Sequence, residues 1–223
     1  MFRRDRAAEF IDRVVDAARY GIAMGLHRLL RRRVETDDII VDIAVTDMAE
    51  GDDDAVGEDR LDPLTGEFDE AGHFRDRNRD VVFDRIALAA SKGCGGVDPD
   101  NVDGYSNRTG FPLSYNSQLD YNRFLFDTAH DHGLAVSLKN DLGQIEDLVE
   151  YADFAVNESC HQWQECHLLT PFIEAGKPVL HIDYLYGSDP QGHNIHCQHM
   201  NSLSLRSLTL PVALDDSYRF SCN

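Results

Sequence analysis

The chain has 223 residues, 42% of them hydrophobic, enough for the core of one large domain or two small ones. Its 40 acidic residues against 21 basic ones give a formal charge of -19, which repels the phosphates of nucleic acid and attracts a cationic ligand. No run of about 18 apolar residues occurs, so no membrane span is expected, and the N-terminus Met-Phe-Arg-Arg-Asp-Arg lacks the apolar core and small-residue cleavage site of a readable signal peptide.

In chain order, residues 1–34 predict an amphipathic helix, with Phe10, Ile11, Val14, Val15, Ala18, Ile22, Leu26, Leu29 and Leu30 at mostly helical spacing. Arg31 to Arg33 suit its C-terminal end electrostatically. Ile39 to Val45 reads as one strand. From Thr46 to Gly72 the chain is acidic, with Asp52 to Asp54 in a row, and reads as loop or disorder. After that, helix and strand alternate: a helix over Val81 to Lys92, a strand end at Gly96 to Pro99, a helix over Ser117 to His132 and a strand over Leu134 to Leu138. A helix over Gln144 to Tyr151, a strand over Phe154 to Val156, a helix over Cys166 to Ala175 and a strand over Pro178 to Ile182 follow. Leu205 to Val212 reads as the last strand. Such alternation makes parallel βαβ units, which leave either an open doubly wound sheet or a closed barrel.

The strand ends separate the two. They carry Asp98 and Asp100, then Lys139, Asn140 and Asp141, then Asn157 and Glu158, then Asp183 and Tyr184. Polar groups at four consecutive strand ends are the arrangement of a TIM barrel, whereas an open sheet gathers them at one switch point. Gly93, Gly95 and Gly96 precede a strand rather than follow one, so they form no dinucleotide or P-loop pattern. The stretch Gly93 to Tyr105 ends a strand with Asp98, Asp100 and Asp103 close together. Alone, these aspartates, with Pro99 and Gly104, are equally an ordinary acidic turn. Glu158, closing a later strand, supplies a second carboxylate, and two carboxylates at separate strand ends are the minimum equipment for acid/base work on a glycosidic bond.

Five cysteines, Cys94, Cys160, Cys166, Cys197 and Cys222, leave one unpaired. A Cys160 to Cys166 bridge would clip the loop after Glu158, and a Cys197 to Cys222 bridge would tie down the C-terminal end. Buried free thiols in a reducing compartment fit the same spacing. His193, His196, Cys197 and His199 have the composition of a zinc site. Trp163 and Tyr105 suit either stacking on sugar rings or packing. Ser159 lacks the elbow pattern of a nucleophile.

Several motifs in order carry a resemblance: Asp98-Pro99-Asp100-Asn101-Val102-Asp103-Gly104-Tyr105, Asn107 with Thr109-Gly110-Phe111-Pro112-Leu113, Leu138-Lys139-Asn140-Asp141, Val156-Asn157-Glu158, and Cys160 with Glu165-Cys166. From about Arg77 to the C-terminus the chain resembles glycoside hydrolase family 114, TIM-barrel enzymes that include secreted endo-α-1,4-polygalactosaminidases. The resemblance implies a (β/α)8 barrel whose strands 4 to 8 are recognisable, a cationic polysaccharide substrate, no cofactor, and secretion. Unacetylated galactosamine is a cation, which gives the acidic balance a use. Carried over by residue, the resemblance implies Asp100 and Glu158 as the catalytic pair and Asp98, Asp103, Tyr105, Lys139, Asn140, Asp141, Asn157, Asp183 and Tyr184 as substrate-binding. Lys139 serves equally as a salt bridge at the barrel mouth. The resemblance also makes Cys197 a disulfide partner and the neighbouring histidines loop residues, so no metal is expected.

Residues 1–74 match none of the family's early motifs and are set apart from the barrel region, residues 75–223. If that segment does not complete the barrel, the strand at Val97 and the one near Leu208 lack neighbours and the site is half built. The alternative function is then a sugar-binding remnant with little turnover. A third is an unrelated intracellular barrel enzyme using a metal.

Overall fold

The computed structural model describes residues 40–44, 77–108, 113–185, 190–215 and 217–222. The expected helix of residues 1–34 and the acidic stretch 46–72 lie outside the described residues. Among the described residues, six parallel strands stand side by side in sequence order: β1 (Ile40–Ala44), β2 (Gly96–Asp100), β3 (Ala135–Lys139), β4 (Phe154–Glu158), β5 (Val179–Asp183) and β6 (Arg206–Thr209). A short β7 (Phe220–Ser221) lies antiparallel on β6. Among the described residues the order never reverses, so these strands show no switch point of the doubly wound kind.

Every strand expected from Ile39 onward is present. The strand at Val97 does have a neighbour, since Val97 pairs with Val41 of β1, and Leu208 of β6 pairs with Ser221 of β7. The strands at Val97 and Leu208, which would lack neighbours if the first segment did not complete the barrel, are both paired.

The longer connections are α1 (Arg77–Ser91), α2 (Tyr115–Asp131) and α6 (Pro190–Ser202); shorter ones are α3 (Ile145–Leu148), α4 (Cys160–Trp163) and α5 (Thr170–Glu174). Helix α2 starts at a reciprocal cap: the Ser114 hydroxyl accepts from Ser117 N (3.1 Å) and the Ser117 hydroxyl from Ser114 N (2.9 Å). It stops at Gly133, whose φ of 73° only glycine adopts freely, and Leu134 N returns to Ala129 O (2.9 Å). The chain leaves that turn directly into β3.

Helix α6 corrects the assignment of its histidines to a loop. Its inward positions are His193, His196, Cys197 and Met200. The spacing is helical, but imidazoles and a cysteine stand where aliphatic residues would have announced a helix.

Strand alternation gives the sheet two distinct faces. Val97, Val136, Leu138, Ala155 and Val179 share the face packed by Ile86, Leu125, Leu148, Phe172 and Met200 in one core cluster. The register carries that face on to Asn157, His181 and Ser207. The other face carries Asp98 and Asp100 of β2, Ser137 and Lys139 of β3, and Val156 and Glu158 of β4. The charged residues of β2 to β4 thus collect on one face at the C-terminal edge.

Candidate active site

Three strand ends build the centre of the site. Lys139, 5% exposed, ends β3 and places its ammonium 3.2 Å from Asp100 Oδ1, 3.6 Å from Glu158 Oε2 and 3.9 Å from Asp98 Oδ2. Asp98 is fully buried and accepts a hydrogen bond from the Ser137 hydroxyl, while Asp100 and Glu158 remain partly open to solvent. Burying a lysine is costly unless opposite charge surrounds it, and here three carboxylates do. The two outer carboxylates, from different strands, are thereby held around one cation.

Glu158 is fixed from two further sides. The Tyr184 hydroxyl donates to Glu158 Oε1 at 2.6 Å, and the Asn140 side chain donates to Oε2 at 3.4 Å while its carbonyl oxygen accepts from Glu158 N at 2.9 Å. Burial, reinforced by the Glu158 acceptor and the charges of Glu158 and Asp100, pushes the Tyr184 hydroxyl well above the usual phenol range, so it stays protonated and donates.

Left-handed residues follow each of these strands directly: Asn101 (φ 56°) after β2, Asn140 (54°) and Asp141 (27°) after β3, and Ser159 (63°) after β4. Each bends the chain out of the sheet just beyond Asp100, Lys139 or Glu158. Asn, Asp and Ser with short polar side chains tolerate this better than bulky or branched residues. Ser159 serves here, and its backbone N–H donates to Ile182 O at 2.8 Å.

Asp141 belongs to a separate group. It is buried, accepts from Asn122 Nδ2 at 3.0 Å and is hydrogen-bonded by Tyr105. Burial, with the charge of Asp103 nearby, pushes its carboxyl up to about 7. The Tyr105 hydroxyl is itself raised to about 12, chiefly by burial and then by Asp141. Behind them Gln118 donates to Asn122 (3.0 Å), Asn122 to Val102 O (3.0 Å) and Gln144 to Tyr115 O (2.7 Å). Sequence reasoning missed Gln118, Asn122 and Gln144, because a polar residue on the inner face of a helix leaves no periodic signal.

Two expected binding residues sit elsewhere. Asn157 is 1% exposed on the helix-packed face, where it accepts from Cys160 N (3.1 Å) and donates to Asn140 Oδ1 (3.4 Å). Asp183 is fully buried and, by alternation, shares the face of His181; it accepts from Leu185 N at 3.2 Å. Asp98, Asp100, Lys139, Asn140, Glu158 and Tyr184 come together, Asp103, Tyr105 and Asp141 form the second group, and Asn157 and Asp183 support from behind. Trp163 ends α4 with 66% exposure, so its indole is not core packing.

Disulfides join Cys160 to Cys166 and Cys197 to Cys222, and Cys94 is free. Of the histidines near Cys197 in sequence, His193 meets its sulfur through Nε2 (3.4 Å) and Thr209 through Nδ1 (3.2 Å), whereas His196 bonds Ser207 (2.9 Å) and His199 bonds His161 (3.0 Å). In the core, His181 Nδ1 and His196 Nε2 both meet the Ser207 hydroxyl at 2.9 Å. Burial first, then neighbouring imidazoles, pushes His181 down to about 3 and His196 to about 4.

A parallel sheet that delivers an Asp/Glu pair from separate strands to one edge has the equipment of a glycoside hydrolase. The sequence profile of glycoside-hydrolase family GH114 matches residues 69–223, more than half of the chain, and the chain belongs to that family. Membership makes it a glycosidase. The chain is similar to the crystal structure of Aspergillus fumigatus Ega3 in complex with galactosamine, at 29% identity and a TM-score of 0.65, over 83% of this chain and 78% of that one. The glycoside hydrolase domain of PelA from Pseudomonas aeruginosa, 14% identical, shares the fold at a TM-score of 0.52, over 80% of this chain and 79% of that one. No curated protein matches the chain. No helix among the described residues is long and apolar enough to cross a membrane.

Proposed function

We propose that the protein hydrolyses α-1,4 linkages in galactosamine-rich polysaccharide, with Asp100 and Glu158 as its catalytic carboxylates. The observation that carries this is the single Lys139 ammonium within 3.2 Å of one carboxylate and 3.6 Å of the other. The similarity to Ega3, whose structure holds galactosamine, supports the substrate class. The charge of -19 adds long-range attraction for a polycation. The sequential parallel strand order, with the site at the strands' C-terminal edge, supports reading β1 to β6 as six strands of a TIM barrel. Two disulfides support an oxidising, extracellular setting.

In this reading Glu158, oriented by Tyr184 and Asn140, protonates the leaving glycosidic oxygen. Asp100 faces the anomeric carbon, which it either attacks itself or reaches through the water it activates. Lys139 holds both groups in place and offsets their mutual repulsion while the positively charged sugar ring develops. Asp103, Tyr105 and Asp141 stand at the β2 and β3 ends as the neighbouring binding group. The test is release of reducing ends from purified galactosamine polymer. Asp100→Asn and Glu158→Gln should each lower turnover by about 100-fold or more while polymer binding and folding persist. Near-full activity in either variant would remove that residue from the pair, and a folded wild-type protein that binds the polymer without cutting it would leave a sugar-binding protein.

A further inference from the structure

We propose that Cys160, Cys166 and His181 form a zinc-binding site in the dithiol state of the chain, a site that closing the Cys160–Cys166 bridge removes. The two sulfurs and a ring nitrogen of His181 lie within 4.8 Å of one another, and all three residues are buried. Tetrahedral zinc, with bonds of about 2.3 Å to sulfur and about 2.0 Å to nitrogen, needs ligand atoms roughly 3.5 to 4 Å apart. Once the S–S bond is open, small side-chain rotations span the difference.

His181 is already set as a ligand. Its Nδ1 is held by the Ser207 hydroxyl at 2.9 Å, whereas Nε2 is buried without a hydrogen-bond partner. A buried ring nitrogen without a partner is uncommon and calls for a reason. Metal-bound histidines characteristically anchor one nitrogen on an oxygen and leave the other for the metal. His196, with its ring centroid 5.6 Å from that of His181, is a neighbouring imidazole available for the fourth coordination position. The other bridge also has a histidine beside it, but that group is only half-buried, and both His193 nitrogens are engaged: Nδ1 meets Thr209 at 3.2 Å and Nε2 meets Cys197 at 3.4 Å.

The chemistry balances with a dithiol or a phosphine as reductant. Two electrons pass to the bridge, the S–S bond breaks, and the sulfurs take up two protons as thiols. The dithiol leaves as its own disulfide, or the phosphine as its oxide carrying the oxygen of water. Zinc then displaces both thiol protons to solvent. The site would hold the loop that the bridge otherwise holds: Cys160 N donates to Asn157 Oδ1 at 3.1 Å, only two residues past Glu158.

The experiment alkylates full-length protein after phosphine reduction without oxygen, with Zn2+ or with a chelator, and reads each cysteine by peptide mass. Zinc should slow labelling of Cys160 and Cys166 together by at least tenfold, leave Cys94 unchanged, and lose this effect in His181→Gln. Equal labelling with and without zinc, protection confined to Cys197 and Cys222, or undiminished protection in His181→Gln would overturn the proposal. X-ray absorption of zinc-loaded reduced wild type supplies a reading that needs no variant. Two sulfurs with imidazole are expected, and a shell of oxygen alone would sink the idea.

Discussion

The two faces of the sheet hide polar groups by opposite means. On one, Asp98, Asp100 and Glu158 surround Lys139, and charge is matched by charge. On the other, His181, Ser207 and His196 lie as deep as Lys139 and Asp98, and the imidazoles are kept neutral by burial. Charge compensation can hold groups ionised or poised to exchange protons, as the proposed reaction would need. Neutralisation holds a structural layer. Depth alone therefore does not mark a functional site; what surrounds the buried group does.

Removing the central cation breaks this contrast most severely. Lys139→Met should destabilise the fold by about 3–5 kcal/mol, since it leaves a buried carboxylate without its partner, and should abolish turnover. Chemical denaturation and a reducing-end assay check the two parts. A variant as stable as wild type would mean that the carboxylates there do not depend on Lys139. The bridge between Cys197 and Cys222 spans 25 residues and ties β7 to α6. Its replacement by two serines should cost about 2–4 kcal/mol, measured by melting in non-reducing buffer, with little change in turnover.

Tyr184→Phe is a milder change. It removes one donor to Glu158 without removing a charge, and a hydrogen bond to a charged group contributes about 1.5–3 kcal/mol. Turnover should fall roughly 10- to 100-fold with the melting temperature nearly unchanged; an unaltered rate would show that Tyr184 does not orient Glu158.

A different kind of effect, absent at neutral pH, appears only in acid. Unfolded, His181 and His196 take up protons near the ordinary imidazole value of about 6.5; folded, only near about 3 and about 4. Between those limits the unfolded chain binds more protons, so stability falls as pH falls below 6.5, by about 1.4 kcal/mol per pH unit for each imidazole. Above that window their contribution is constant. The double variant His181→Gln/His196→Gln should flatten the pH dependence of melting between pH 4 and 6.5. An unchanged slope would place the acid sensitivity elsewhere.

Much of this was legible in the sequence. The strands announced themselves through runs such as Val179 to Ile182, and the carboxylate pair through its position at strand ends. Facing was harder to read. Asp183 stands at a strand end like Glu158, yet the pairing of Glu158 with Ile182 puts it one residue out of step. A one-residue difference in register sends a side chain to the opposite face, and residue identity does not reveal it. Helix α6 was hidden because its inner stripe is written in His193, His196 and Cys197, and the Asn122 network because amides on a helix resemble a solvated face.

The left-handed residues after β2, β3 and β4 have a consequence for how such a site changes over time. Each is a pivot placed immediately after a strand-end site residue. Exchanges among Asn, Asp, Ser and Gly at Asn101, Asn140 or Ser159 can re-aim the preceding side chain by a few degrees while the strand below stays paired. A β-branched residue there costs about 1–2 kcal/mol in backbone strain. At Asn101 and Ser159, evolution or a designer can thus tune the aim of Asp100 and Glu158 separately, using a four-letter alphabet, whereas Asn140 also holds Glu158 and so moves both Lys139 and Glu158.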